Sequence, residues 1–404
     1  MTATPALSTH NGSTLVTATR ATYGVFLASG FAIANWASRI PQVRDRLHLS
    51  PADLGIVLLA LALGSLVALP SAGAIVHRLT ARRTVAVMSV VVAVGLAIVS
   101  TGYLHGVAPL AIGLFVFGFG NGAWDVAMNV HGASVERQIG RAIMPRFHAG
   151  FSGGTVVGAL IGAFMIAAHV PVTAHLLVVA VLVGVAVPVA TRGFLPDDAR
   201  DEPAEHERSP RGGGAFVRWR EPRTLVIGVV VLAFALTEGS AIDWINVALI
   251  DGHHVSAVTA GLGFATFLAA MTALRWFGTG LLDRYGRVPV LRGLAAVGIT
   301  GLLLFVFSPY VPLAFAGAVL WGAGASLGFP VGMSAAADEP GAAAGRVSVV
   351  ASIGYCAFLG GPPLIGFLGN HFTVLRALLV VALLLGLATA VTGALRPLPG
   401  STTD

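Results

Sequence analysis

The 404-residue chain contains no lysine; all 24 of its basic residues are arginine. Charge of either sign is scarce: Asp, Glu, Lys and Arg together make up 10% of the chain, against about 25% in soluble domains. So little charge cannot cover a surface that faces water. With 56% hydrophobic residues, most of the surface is predicted to face lipid. A single cysteine, Cys356, excludes an intramolecular disulfide. No Walker-type phosphate loop occurs, which argues against ATP-driven work. His-Glu-x-x-His and clustered Cys/His patterns are missing, and Ser, His and Asp are scattered over separate apolar runs. No enzyme activity, cofactor or metal is therefore expected. The formal net charge of +6 comes from arginines in turns between apolar runs, a placement that does not point to nucleic acid. The first ~19 residues are polar, no Arg precedes Arg20, and the apolar run that follows is long enough to span, so no signal peptide is expected.

What is present is a pattern that reads twice. A membrane helix needs about 20 mostly apolar residues, and twelve such runs occur. Six lie near 21–40, 52–76, 84–104, 109–130, 147–168 and 172–190. Six more lie near 224–243, 257–280, 289–307, 312–333, 347–368 and 374–393. Between the sets, residues 191–223 are rich in Pro, Gly and both charge signs and read as a linker. At an offset of 206 residues, His77-Arg78 aligns with Asp283-Arg284, Ser50 with Ser256 and Gly55 with Gly261. The predicted fold is an all-α membrane protein of twelve transmembrane helices in two pseudo-symmetric six-helix bundles, 1–190 and 224–404. A duplicated half with charged turns between spans indicates a secondary transporter. With a cytoplasmic N-terminus, 19 arginines fall in inside segments and four in outside ones. By the positive-inside rule both termini are predicted to be cytoplasmic.

The stretch Asp283-Arg284-Tyr285-Gly286-Arg287, between the eighth and ninth runs, resembles the loop signature of the major facilitator superfamily, roughly Gly-x-x-x-Asp-Arg-x-Gly-Arg. The first copy is degraded: Gly73 and Arg78 match, but His77 and Thr80 replace the acid and the second Gly. Glu238 to Trp244, Trp321 to Pro330 and Arg346-Val-Ser-Val-Val resemble an uncharacterised bacterial inner-membrane branch distantly similar to sugar permeases. The resemblance implies the twelve-helix fold, transport by alternating access, and usually a monomer. It also implies that the loop acid holds the cytoplasmic side closed against a helix N-terminus of the other half. The expected latch places Asp283, Arg284 and Arg287 near Arg146, and Arg78 near Arg346. Topology-setting alone is the competing reading. The resemblance further marks Asp125 as the span-four acid that matters for coupling in sugar permeases. Drug–proton antiporters of the superfamily usually carry an Arg in span four and a Gly-Pro pair in span five. Residues 109–130 contain no Arg, and Gly154 is followed by Thr155.

Ionisable groups within a span are costly and usually face an internal cavity. In span four, Asn121, Asp125 and Asn129 share one face at intervals of four, next to Trp124. Span seven contributes Glu238, Asp243 and Trp244, and span one contributes Asn35 and Trp36. Asp125, Glu238 and His148 are the candidates for proton coupling. Asn35, Trp36, Asn121, Trp124, Asn129, Asp243 and Trp244 are the candidates for the substrate cavity. Asp243 has a second reading, a gate with Arg39 at the outer rim, and Arg275 a bland one, pairing with an acid in its own bundle. Aromatic faces beside Asn and carboxylates suit sugar-like solutes and equally suit exported amphiphiles. The expected partners are a small-molecule substrate, protons and the lipid bilayer of the inner membrane. Export of a metabolite is the alternative within transport. A non-transporting receptor is the alternative outside it, though the 191–223 stretch is short for a sensory domain.

Overall fold

The computed structural model describes residues 12–140, 143–196, 217–339 and 343–396. Among these residues every regular element is helical, as lipid requires: with no water to satisfy backbone amides, a spanning segment must bond its own. Eleven helices are long and apolar enough to cross a membrane. They are span two (Pro51–Leu79), three (Ala81–Gly102), four (Val107–Ile139), five (Met144–Ala167), six (Val172–Gly193), seven (Pro222–His253), eight (Ala257–Phe277), nine (Arg287–Phe307), ten (Val311–Ala336), eleven (Gly345–His371) and twelve (Val374–Leu395). Span one, Gly12–Ala37, has 26 residues, stands outside that set and packs along spans five and six. Most of the expected linker, residues 197–216, lies outside the described residues.

The packing repeats as the sequence does. Span one lies along five, span two along four, and span three along four and six. Span seven lies along eleven, eight along ten, and nine along ten and twelve. The halves meet through span two against eleven and span five against eight. The repeat extends to the backbone. His48 and His254, at the 206-residue offset, have φ of 53° and 54°, and Thr80 and Gly286 have φ of 76° and 78°. Ser50 and Ser256 each cap a helix by accepting from a backbone N–H three residues on, at 3.2 Å in both cases. Thr80 thus holds a left-handed conformation that its counterpart meets with glycine, which strains a β-branched residue. Large apolar side chains such as Phe164, Val181 and Phe277 point outward, where lipid replaces the core.

Three departures from the expected spans follow from local chemistry. Span four runs nine residues past 130, to Ile139, through a polar segment that still forms good helix. Span seven does not stop at Asp243: Ile245, Val247, Ala248 and Leu249 continue it to His253 and are buried. Span ten is interrupted, with helices Val311–Ala325 and Gly328–Ala336. Pro330 has no N–H to give the carbonyl four residues back, that of Ser326. Arg275 takes that carbonyl instead, Nε to O at 2.9 Å.

Candidate functional site

A cavity of about 390 Å³ lies between the halves, lined from spans one, two, four and five on one side and seven, eight, ten and eleven on the other. Its ionisable lining includes Asp125, Glu238, Asp243, Arg275 and, on span five, His148. At about 1.5 Å of rise per residue, Asp125 sits about 27 Å from the start of span four and Glu238 about 24 Å from the start of span seven. Both are near the middle of their helices.

Of the expected cavity residues, Trp36, Asn121 and Asp243 line it, and so do the three proton-coupling candidates Asp125, Glu238 and His148. Trp124 and Trp244 do not: both are 0% exposed, with indole N–H groups that bond to no protein group. Asn129 supports the cavity from behind, donating Nδ2 to the Asp125 carbonyl at 2.8 Å and to its carboxylate at 3.3 Å. Asn121 accepts from Ser29 Oγ at 3.3 Å, tying span four to span one. Asn35 is withdrawn from the cavity into a buried network. His175 Nε2 lies 2.8 Å from Asn35 Oδ1, and Arg39 Nε donates to His175 Nδ1 at 2.8 Å, which fixes the imidazole as the Nε2–H tautomer. Arg39 also donates to the Val170 carbonyl at 3.1 Å. Burial pulls the Arg39 guanidinium down to about 10, opposed by Tyr103. Arg39 therefore does not gate with Asp243, as its other reading had it. Among the described residues Asp243 has neither a hydrogen bond nor an ion pair.

Glu238 is not a free carboxylate. Arg275 Nη2 donates to it at 2.6 Å, while the same guanidinium holds the Ser326 carbonyl at the break of span ten. Arg275, Tyr355, Phe151, Phe329 and Phe358 also line the cavity and were not among the expected cavity residues. The signal for Arg275 was its charge at membrane depth. The same signal marks His175, which the sequence reading passed over. The aromatics carried no such signal, because Phe and Tyr are ordinary span residues.

The expected latch is not assembled among the described residues. Asp283, Arg284, Arg146 and Arg78 are exposed, and Arg284 stacks only over Tyr285, 5.2 Å from the ring centre. The start of span five holds another carboxylate: Glu136 accepts from the backbone N–H groups of Ile143 and Met144, each at 2.6 Å. Arg287 and Arg346 are tied within their own half. Arg287 and Arg223 both bind Asp338, at 2.7 and 2.8 Å. Arg346 Nε donates to Glu221 at 2.6 Å, and Nη1 sits 2.9 Å from Glu339 as an ion pair rather than an aligned hydrogen bond. Burial alone would raise the Glu221 carboxyl, but hydrogen bonds from Arg346, Arg218 and Thr224 outweigh it and hold the group at about 2.

The halves are joined instead at the end away from residues 12 and 396. Arg44 binds Asp251 through both terminal guanidinium nitrogens, Nη1 and Nη2, the latter at 3.0 Å, and Asn246 Nδ2 donates to the Ala37 carbonyl at 3.3 Å. A Cβ on Gly55 would stand 2.5 Å from the Pro362 carbonyl oxygen, and one on Gly261 3.0 Å from Ala163 Cβ. Both glycines are there for close approach of helices across the halves.

Comparison with known proteins gives the family. The Major Facilitator Superfamily model matches residues 21–356, and the chain belongs to that superfamily, whose members are transporters rather than enzymes. The uncharacterized transporter y4wD of Sinorhizobium fredii is 33% identical over 95% of this chain and 99% of its own. Among solved structures, a bacterial homolog of the human lysosomal transporter Spinster, inward-facing and unoccupied, superposes with TM-score 0.75 at 14% identity over 96% of this chain and 98% of its own. The nucleoside transporter NupG superposes with TM-score 0.73 at 13% identity over 93% and 98%. Those two likenesses establish the fold.

Proposed function

We propose that this superfamily member is a secondary active transporter that carries a small polar, sugar-like solute through the inner membrane by alternating access. Protons are the coupling ion, the protein works as a monomer, and both termini are cytoplasmic. One observation carries the reading: a charged cavity at mid-membrane depth lies between two halves whose hydrogen bonds to one another, among the described residues, all fall at one end. With the positive-inside orientation, that end is the outer one, and the described state is open toward the cytoplasm.

Two bundles, 1–190 and 224–404, rock about the cavity. Asp125 takes up a proton from one side and gives it to the other, held in place by Asn129. A proton on Glu238 would remove the charge that Arg275 answers, leaving the guanidinium on the Ser326 carbonyl. The break in span ten thereby feels the protonation state of span seven.

The test is purified protein in liposomes with a trapped pH dye, challenged with sugars, nucleosides and small metabolites. Compound-driven proton entry supports symport, and proton exit turns the reading to export. Asp125→Asn is expected to reduce proton-coupled flux to background while leaving thermal stability near wild type. Normal proton-driven flux in that variant removes Asp125 from the mechanism.

A further inference from the structure

The carboxylates of the cavity are not equally served by the protein. Glu238 is neutralised by Arg275 at 2.6 Å. Asp125 accepts from Asn129 and is the proposed proton carrier. Asp243 lines the same cavity and meets no donor and no cation among the described residues. An ionised carboxylate removed from bulk water is costly unless something pairs with it, and the described residues supply no partner. With Glu238 paired to Arg275 and Asp125 bonded to Asn129, Asp243 is the lining carboxylate for which the described residues provide no counter-charge.

The surroundings of Asp243 narrow the missing partner. It stands one helical turn before Asn246, whose side chain bonds the carbonyl of Ala37. That bond draws the joined ends of spans one and seven together, and Trp36, next to Ala37, lines the cavity with Asp243. A carboxylate and an indole lining one chamber beside the joined ends of spans one and seven are two groups that together recognise an ammonium, by charge and by cation–π attraction. A neutral hydroxyl would engage Asp243 but leave its charge unanswered. Asn121, whose carbonyl oxygen is taken by Ser29, still has amide N–H groups to offer a hydroxyl at the other end of the solute.

We propose that the transported solute is a small organic cation, an amine-bearing and hydroxylated molecule whose ammonium docks between the Asp243 carboxylate and Trp36. This rests on reading the cavity as the translocation site. The test uses the full chain in lipid nanodiscs and matched pairs that differ by one charge: glucosamine and glucose, galactosamine and galactose, choline and 3,3-dimethylbutanol. Thermal stabilisation of wild type is expected from at least one amine and not from its neutral partner. Asp243→Asn should weaken that amine by at least about tenfold, the scale for stripping one partner from a buried charge pair. Asp243→Glu, which keeps the charge, should retain the preference for the amine. Equal shifts within every matched pair, silence of all amines included, overturn the assignment, as does unchanged amine affinity in Asp243→Asn. Liposome counterflow with the same pairs separates the two claims. Carriage of a neutral member with Asp243→Asn fully active keeps the transport reading and removes the cation. Amine binding without exchange keeps the cation site and removes the transport reading.

Discussion

The two ends of the seam between the halves are built on opposite principles. At the end away from residues 12 and 396, the outer end in the proposed orientation, the helices meet at glycines, with Gly55 against the Pro362 backbone and Gly261 against Ala163, and a bidentate Arg44–Asp251 pair spans the seam. At the opposite end, cytoplasmic in the proposed orientation, the ion pairs among the described residues stay within one half. Glu136 caps span five, Asp338 holds Arg287 and Arg223, and Glu221 holds Arg346, leaving Asp283 and Arg146 exposed. Closure by steric fit needs small residues and leaves no alternative partner. Closure by charge needs partners that can be exchanged. A transporter that must open and close both ends can use the first as a seat and the second as a switch.

The strongest way to break the contrast is to remove the fit. Gly55→Leu places a side chain where even a Cβ would stand 2.5 Å from the Pro362 carbonyl. Solute flux should fall to background, and a cysteine placed in the outer vestibule of a Cys356→Ser background should become reactive. An unreactive cysteine and intact flux would show that the outer end does not close by packing. Removing the charge at the same end is expected to do less. Arg44 is largely buried but Asp251 is half exposed, so Arg44→Ala should cost about 1 kcal/mol and shift the outer-open population by about fivefold, read by the same cysteine. Asp283→Asn should leave the described state as stable as wild type, because Asp283 has no ion pair there. It should favour the cytoplasm-open population only by weakening the other state. Equal cysteine accessibility in a cytoplasmic vestibule, with and without the substitution, would remove Asp283 from the switch. The smallest effect concerns pH. The Glu221 carboxyl is held at about 2, below its ordinary 4.5, so its stabilisation is fully present above about 4.5 and is lost as pH falls toward 2. Glu221→Gln should therefore leave the shape of the flux–pH profile between pH 5 and 8 unchanged. A new inflection in that window would place Glu221 in coupling.

Much of the fold was legible because lipid leaves an apolar run of 20 residues few options other than a helix. The 206-residue repeat was legible as well, and its matched pairs Ser50/Ser256 and Gly55/Gly261 prove to be helix caps and seam contacts. The cavity was legible in part. Asp125 and Asn121, four apart, do share a face. Trp124 and Trp244 misled because neighbours in sequence point about 100° apart on a helix, so adjacency to a carboxylate is not adjacency to the cavity. The pairing of Glu238 with Arg275 across 37 residues, and the service Pro330 renders by leaving the Ser326 carbonyl to Arg275, depend on how spans seven, eight and ten meet, which no local pattern states. The unmade latch was not legible because a sequence encodes every conformation of a transporter at once.

The account stands on the outer end having to open during each cycle. Replacing Arg44→Cys and Asp251→Cys together in the Cys356→Ser background and joining them with a short bis-methanethiosulfonate tests it most directly. Flux in liposomes should vanish when cross-linking is complete and return on reduction. Undiminished flux through fully cross-linked protein would contradict alternating access at this seam.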